Sequence, residues 1–274
     1  MTDAPDTPAP AASTTDPMVL TSIVGAVGTI TLNDNARRNA LSAALLDAVI
    51  GAIAAFEAKS VRVVILRAAP GLKVWSAGHD IKELPRGHED PLGYGDPLER
   101  ALRTIRSYPG PVIALVQGSV WGGAFDLVLS CDMIIADETS AFAITPANLG
   151  LPYNTTGLLH CLNRLPLNLV KEMFFTANPV KAEQAAKWGI INHLVAAADI
   201  ETFTTELATH IATKAPLAIA VVKEQLRVLT DFQPVAAQVF ERIQDMRRAV
   251  YESADYEEGI SAFLEKRKPV FRGV

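Results

Sequence analysis

An α/β fold with a helical C-terminal third is predicted by three observations. Apolar β-branched runs (Val61 to Leu66, Val112 to Val116, Met133 to Ala136) alternate with segments of helical period through the first half of the chain. Such alternation favours parallel strands joined by crossover helices. From Leu167 onward nearly every segment has helical period. With 274 residues the chain can bury a substantial core, as one α/β domain or a domain with an appendage.

The elements follow in order. Residues 1–17 are acidic, proline-rich and small, with neither a basic start nor an apolar stretch, so a disordered tail is expected and not a signal peptide. Val19 to Val24 and Thr29 to Leu32 flank Gly25-Ala26-Val27-Gly28 as a hairpin would. NDNARRNALS then breaks the pattern. From Ser42, Leu45, Val49, Ile53 and Phe56 recur at helical spacing and predict a one-faced helix. Val61 to Leu66 runs into the loop KVWSAGHDIKELP. After Thr145, glycine and proline accumulate in TPANLGLPYNTTG. The spacing predicts helices over 180–187 (ending at Gly189), 199–213, 217–230 and 235–251, with Pro216 and Pro234 near their starts. Asp255 with Glu258 suggests a capping box for the last helix. We read a core over 18–200, a helical region over 201–274, and no internal repeat.

Composition excludes several classes. Acids exceed bases to give a net charge of −5, against a nucleic-acid partner, since phosphate binding needs a basic face. No apolar run approaches the roughly 20 residues needed to span a bilayer, so a soluble protein without a membrane partner is expected. Cys131 and Cys161 sit in apolar surroundings without C-x-x-C spacing and read as reduced core thiols of a cytoplasmic protein.

The most informative stretch is PVIALVQGSVWGGAFDLVLSCD, from Pro111 to Asp132. A strand reaches a glycine turn at Gly118, and Gly122-Gly123 opens an apolar helix ending near Cys131. Glycine lets a ligand approach the backbone, and the first helical turn offers N–H groups without intrahelical partners, which attract negative charge. The alternative is a buried βα unit whose glycines only permit close packing. Loops leaving the C-terminal ends of parallel strands are where ligands bind, and the loop after Val61 to Leu66 carries Ala77-Gly78-His79. If the two loops converge, the N–H groups of His79 and Gly123 could point at one oxygen as an oxyanion hole. Removing one such donor costs about 2.7–4 kcal/mol of transition-state stabilisation in a well-studied protease.

SAGHDI, QGSVWGGAFD, the Phe142-to-Gly150 loop and the terminal AFLEKRKP together resemble the enoyl-CoA hydratase/isomerase (crotonase) superfamily from about residue 19 to the end. SAGHDIKELP, GSVWGGAFD, TPANLGLPYN and FERIQDMRRAVYES are similar to its branch that decarboxylates methylmalonyl-CoA. The resemblance implies a spiral of stacked ββα units and a C-terminal helical region that forms a homotrimer or a dimer of trimers. It also implies an acyl-CoA thioester as substrate, with no metal and no cofactor beyond the coenzyme A of the substrate itself. Carried over by position, the oxyanion donors are the amides of His79 and Gly123. Ala77, Gly78, His79, Asp80 and Ile81 lie along the pantetheine and adenine, and Phe263 and Lys266 approach the adenine and phosphates, from the same or a neighbouring subunit.

Hydratases of the superfamily activate water with two glutamates. Here the first place holds Asp126, a shorter acid, and the second falls in Thr145-Pro146-Ala147, which has none. Adding water to an alkene needs such proton carriers. Losing CO2 from a 2-carboxyacyl thioester needs no base; it needs an oxyanion hole and a carboxylate held out of the thioester plane. A strong cation at that carboxylate would stabilise the ground state more than the transition state, so hydroxyls suit better. Thr145 is assigned to orienting the carboxylate and Tyr153 to positioning it or protonating the enolate, roles that could be exchanged or left to water. Either residue alone would otherwise be a loop hydrogen bond or a packing side chain. Asp126 either takes part directly or complements the helix dipole. Trp121 is expected to shape the acyl pocket, Lys82 and Glu83 to lie on a solvated face, and His88, His160, His193 and His210 to be structural or surface residues. The rival readings are an enoyl-CoA hydratase or isomerase using Asp126, and a silent acyl-CoA-binding subunit.

Overall fold

The computed structural model describes residues 17–84, 93–231 and 236–273. Residues 1–16 of the tail expected over 1–17, and His88 and Pro234, lie outside them. Strands β1 (Val19–Val24) and β2 (Val27–Leu32) form the hairpin. Its loop is shorter than expected: Val24 pairs directly with Val27, and Gly25 takes the positive φ that a two-residue hairpin loop requires. Helix α1 (Ala43–Ala58) is capped by Ser42, whose Oγ accepts from the Leu45 amide at 3.3 Å, and buries Leu45, Val49, Ile53 and Phe56 as their spacing predicts.

Three strand–strand–helix units follow: β3 (Val63–Ala68), β4 (Val74–Ser76) and α2 (Pro97–Ser107); β5 (Val112–Val116), β6 (Ser119–Trp121) and α3 (Gly123–Leu129); β7 (Met133–Ala136), β8 (Ala141–Ala143) and α4 (Thr155–Leu162). In each unit the first strand joins a six-stranded sheet and the second a four-stranded sheet. The chain therefore winds as a spiral of ββα units, and β3, β5 and β7 pair in parallel as expected. The second strands fall in stretches that the sequence presents as loop, because three residues carry no usable period. The turn between β5 and β6 needs its glycine: a Cβ on Gly118, at φ +82, would lie 2.7 Å from the Leu72 carbonyl oxygen.

Helices α5 (Leu167–Thr176) and α6 (Ala182–Lys187) bracket β9 (Val180–Lys181), and β10 (His193–Leu194) ends the larger sheet. Both faces of the central strands are covered, as parallel sheets require. Val64, Leu66, Val112 and Ala114 enter the main core, while Val63, Ile65, Ile113 and Leu115 meet Ile200 and Ala208 of α7 (Ile200–Ala212). The expected boundary near 200 thus falls at the first turn of a helix packed on the sheet. Cys131 and Cys161 are free and buried, and burial pushes the Cys131 thiol up to about 12.

The chain ends in α8 (Pro216–Asp231), α9 (Ala237–Tyr251) and α10 (Ala254–Leu264). Ser253, not Asp255, caps α10, accepting from the Tyr256 amide at 3.2 Å. Asp255 instead accepts from the amides of Arg272 and Gly273, and Glu258 pairs with Arg267, so these acids fasten the C-terminal segment. Helix α10 lies against the 3-10 turn Pro146–Leu149. A Cβ on Gly259 would come within 2.2 Å of the Leu149 carbonyl oxygen, so only glycine permits this approach.

Candidate active site

Two loops at the C-terminal ends of β4 and β6 meet. The first, Ala77 to Ile81, is held by the irregular segment after β2: Leu41 donates its amide to Gly78 O at 2.8 Å, Ala77 to Arg38 O at 2.9 Å, and Ser76 Oγ donates to Asn39 O at 2.6 Å. At Gly78, φ is +84 and a Cβ would sit 2.4 Å from the Trp121 carbonyl oxygen and 3.4 Å from the Gly123 nitrogen. A Cβ on Gly123 would in turn lie 3.6 Å from the His79 nitrogen. The amides of His79 and Gly123 are therefore neighbours. Among the described residues neither N–H is given to another protein group, which leaves both for a ligand oxygen at the first turn of α3.

A pocket opens in front of them, lined by Ala77, Gly78, His79, Ile81, Gly122, Gly123, Thr145 and Tyr153 together with Glu99, Asp126 and Asn154. Burial depresses the His79 imidazole pKa, and its Nδ1 is buried without a partner among the described residues. Thr145, at the end of β8, brings its Oγ1 to 3.5 Å from where a Gly122 methyl would be.

The far wall is acidic. Asp126, 2 % exposed on α3, faces His160 Nδ1 at 2.6 Å through Oδ1 and accepts from the Tyr153 hydroxyl at 3.4 Å through Oδ2. Arg106 Nη1 stands 3.0 Å from His160 Nε2. Arginine is only a donor, so Nε2 accepts and the proton sits on Nδ1, donated to Asp126. Arg106 also pairs with Asp231 at the end of α8. Beside Asp126 lies Glu99 of α2, 5 % exposed, which accepts from Asn154 Nδ2. Burial, then the Asp126 carboxylate, raise the pKa of Glu99 above the usual range. The same two influences push the Tyr153 phenol well above its ordinary value.

Residues 22–274 match the family described as enoyl-CoA hydratase/isomerase. The chain belongs to this family. It is 50% identical over 250 residues to the methylmalonyl-CoA decarboxylase of Escherichia coli (strain K12), covering 91% of this chain and 96% of that one. A solved methylmalonyl-CoA decarboxylase in complex with 2-nitronate-propionyl-CoA superposes with a TM-score of 0.93 at 49% identity, over 94% of this chain and 99% of that one. A second, complexed with 2S-carboxypropyl CoA, gives 0.93 at 48% identity over 95% and 100%. The spiral is thus the crotonase fold of the enoyl-CoA hydratase/isomerase family.

Of the residues singled out in the sequence, His79, Gly123, Thr145, Tyr153, Asp126, Ala77, Gly78 and Ile81 converge on this pocket. Asp80 does not line it: its carboxylate takes Arg37 Nη1 at 3.1 Å and the Lys82 amide at 3.1 Å, fastening the loop. Phe263 and Lys266 stand apart, exposed at the end of α10. Trp121 turns away from the pocket and donates to Ser119 Oγ at 2.8 Å; it contributes its backbone, not its ring. Of the two readings offered for His160, the surface one fails: the ring is buried against Asp126. His193 and His210 are exposed, and Lys82 and Glu83 are exposed as expected, although Glu83 accepts from the Ala43 amide at 2.8 Å. Glu99 and Asn154 were missed. The sign was there for Glu99: it adjoins Leu98 in a helix whose Ala101, Leu102 and Ile105 are buried.

Proposed function

We propose that the protein decarboxylates methylmalonyl-CoA to propionyl-CoA and CO2, through a thioester enolate held by the amides of His79 and Gly123. The observation that carries this is the pair of adjacent, unspent N–H groups facing a pocket whose described lining contains two hydroxyls and carboxyls but no Lys or Arg. The thioester oxygen accepts both N–H groups, and Thr145 holds the substrate carboxylate out of the thioester plane. Breaking the carbon–carbon bond delivers its electron pair to the thioester as the enolate, whose oxygen gains charge where the two donors lie. A His79 of lowered pKa and a hydroxyl leave the departing carboxylate without a cation to over-stabilise it. The Tyr153 hydroxyl donates its hydrogen bond to Asp126, so its part is to position and not to acidify.

The pantetheine runs along Ala77 to Ile81, and Phe263 and Lys266 meet the adenine end in the assembled protein. Helix α8 exposes Leu217, Val221, Leu226 and Leu229, an apolar face that supports a homotrimer or a dimer of trimers built on the helical region. No helix among the described residues is long and apolar enough to cross a membrane; a cytoplasmic location fits a CoA thioester substrate.

Glu99 beside Asp126 favours one second reading, hydration of an enoyl-CoA by two carboxyls, since the pocket holds the pair that the sequence lacked in its usual places. Mass spectrometry separates the two. Incubation with methylmalonyl-CoA is expected to give a thioester lighter by CO2, and crotonyl-CoA to remain unhydrated. Hydration without CO2 loss would reverse the assignment, and neither product would leave a silent acyl-CoA-binding subunit.

A further inference from the structure

Helix α8 buries none of its side chains, so polar contacts set its place on the body. Among the described residues two anchors do this. At the middle of the helix Lys223 Nζ donates to the carbonyls of Ile105 and Gly110, at 3.3 and 2.9 Å, and meets Asp132 at 2.7 Å. At its end Asp231 takes Arg106. A cavity of about 590 Å³ remains between α8 and the body, and His160 shares its wall with Arg106, Asp132 and Lys223. The His160 ring therefore stands between two spaces. Its Nε2 edge meets Arg106 at 3.0 Å on the α8 side, and its Nδ1 edge meets Asp126, a wall residue of the active-site pocket, at 2.6 Å.

Each link in this chain fixes the next. At 2.6 Å Asp126 Oδ1 needs a hydrogen from Nδ1, since a ring lone pair there would repel the carboxylate. A neutral imidazole has one N–H and one acceptor nitrogen, so Nδ1 keeps the hydrogen only while Nε2 accepts. Arg106 makes Nε2 accept, and its guanidinium opposes a second proton on the ring. What aims Arg106 is Asp231, which holds Nη2 from the end of α8. At the other end of the chain, Asp126 uses its second oxygen to accept from the Tyr153 hydroxyl at 3.4 Å. From this geometry we infer that His160 is a positioning residue for the decarboxylation: Arg106 and Asp231 set its tautomer, and the seating of α8 is thereby transmitted to Asp126 and to the Tyr153 hydroxyl. The inference rests on the decarboxylase reading, in which Tyr153 positions the substrate. No proton is transferred along the chain; it fixes which atoms donate and which accept.

The test is a double-mutant cycle on CO2 release from methylmalonyl-CoA. Asp231→Ala removes the link farthest from the pocket. It is expected to lower kcat roughly 2- to 30-fold, the span of effects for substitutions along a coupled network. KM is expected to change little, because a misplaced hydroxyl costs alignment and not thioester binding. In a His160→Asn background the shorter amide keeps a donor for Asp126 but cannot reach Arg106, so Asp231→Ala is expected to lower kcat no further. An equal loss in both backgrounds, or no loss in either, overturns the inference. Nitrogen-15 NMR of histidine-labelled protein reads the tautomer itself and covers the case in which His160→Asn does not fold. The wild type is expected to carry the His160 proton on Nδ1, and Asp231→Ala to shift it toward Nε2; a tautomer unchanged by Asp231→Ala overturns the relay. The NMR result does not depend on turnover, so a wild type that releases no CO2 would remove the decarboxylase reading and leave the relay to be judged by its tautomer.

Discussion

The two ends of the pocket are built by different means. At the oxyanion end the functional atoms are backbone amides, and what aims them is conformation: Gly78 at φ +84 and Gly122 at φ +52, where a side chain is strained or has no room. At the acidic end the functional atoms are side chains from α2, α3 and α4, aimed by one another through Asn154, His160 and Arg106. A backbone site tolerates no change in shape, whereas a side-chain cluster tolerates shape but not loss of a proton or a charge. The substitutions below sharpen or break that contrast.

The largest effect is expected for Gly123→Pro. Proline is acceptable at the first position of a helix, and the atom that must yield is the tip of Leu98, so the change removes the donor and leaves the fold. Turnover of methylmalonyl-CoA is expected to fall about 10²–10³-fold, checked by steady-state kinetics with circular dichroism as the folding control; near-normal turnover would place the oxyanion hole elsewhere. Next is Thr145→Ala, which removes one hydroxyl from a charged carboxylate: a loss of about 1.5–3 kcal/mol, or roughly 10–10² in kcat/KM, with the melting temperature scarcely moved. Unfolding in place of lost activity would make Thr145 a structural residue.

At the acidic end, Gly157→Ala would drive a methyl to 2.3 Å from the Tyr153 ring and 2.7 Å from Asp126 Oδ2. It is expected to lower stability by about 1–3 kcal/mol, read from urea unfolding, and to dislodge Asp126 as well. Glu99→Gln is a gentler change with a defined pH dependence. The folded Glu99 binds its proton more tightly than the unfolded chain, so wild-type stability falls as pH rises from the ordinary value of 4.5 through the raised one. Glutamine has no proton to lose, so the melting temperature of the variant is expected to gain on the wild type above that window and not below it. The smallest effect is expected at Trp121: replacement by Phe breaks the bond to Ser119, costs about 1 kcal/mol, and leaves the acyl preference unchanged.

The same contrast explains how much could be read from the chain. The oxyanion loops were legible because glycine at a strand-to-helix turn announces an unusual backbone, and the family resemblance supported the pairing of His79 with Gly123. The hairpin, α1 and the parallel core strands followed from period alone. The short strands β4, β6 and β8 did not, because their pairing is set by the neighbouring turn of the spiral and not by their own three residues. The acidic end was hidden for a related reason. Glu99, Asp126 and His160 are far apart in the chain, and each alone looks like an ordinary helical residue. Only the packing of α2, α3 and α4 makes them one site. Asp255 shows the converse: it occupies a plausible capping position, yet the backbone amides of the C-terminal segment take it, and Ser253 caps instead.

The most direct measurement is a structure of the protein bound to 2-nitronate-propionyl-CoA, whose thioester and planar nitronate stand in for the reacting acyl group. The thioester oxygen is expected about 2.7–3.1 Å from the amides of both His79 and Gly123, with the nitronate at Thr145. A thioester oxygen away from those two amides, or a nitronate away from Thr145, would contradict the division of labour between the two ends of the pocket.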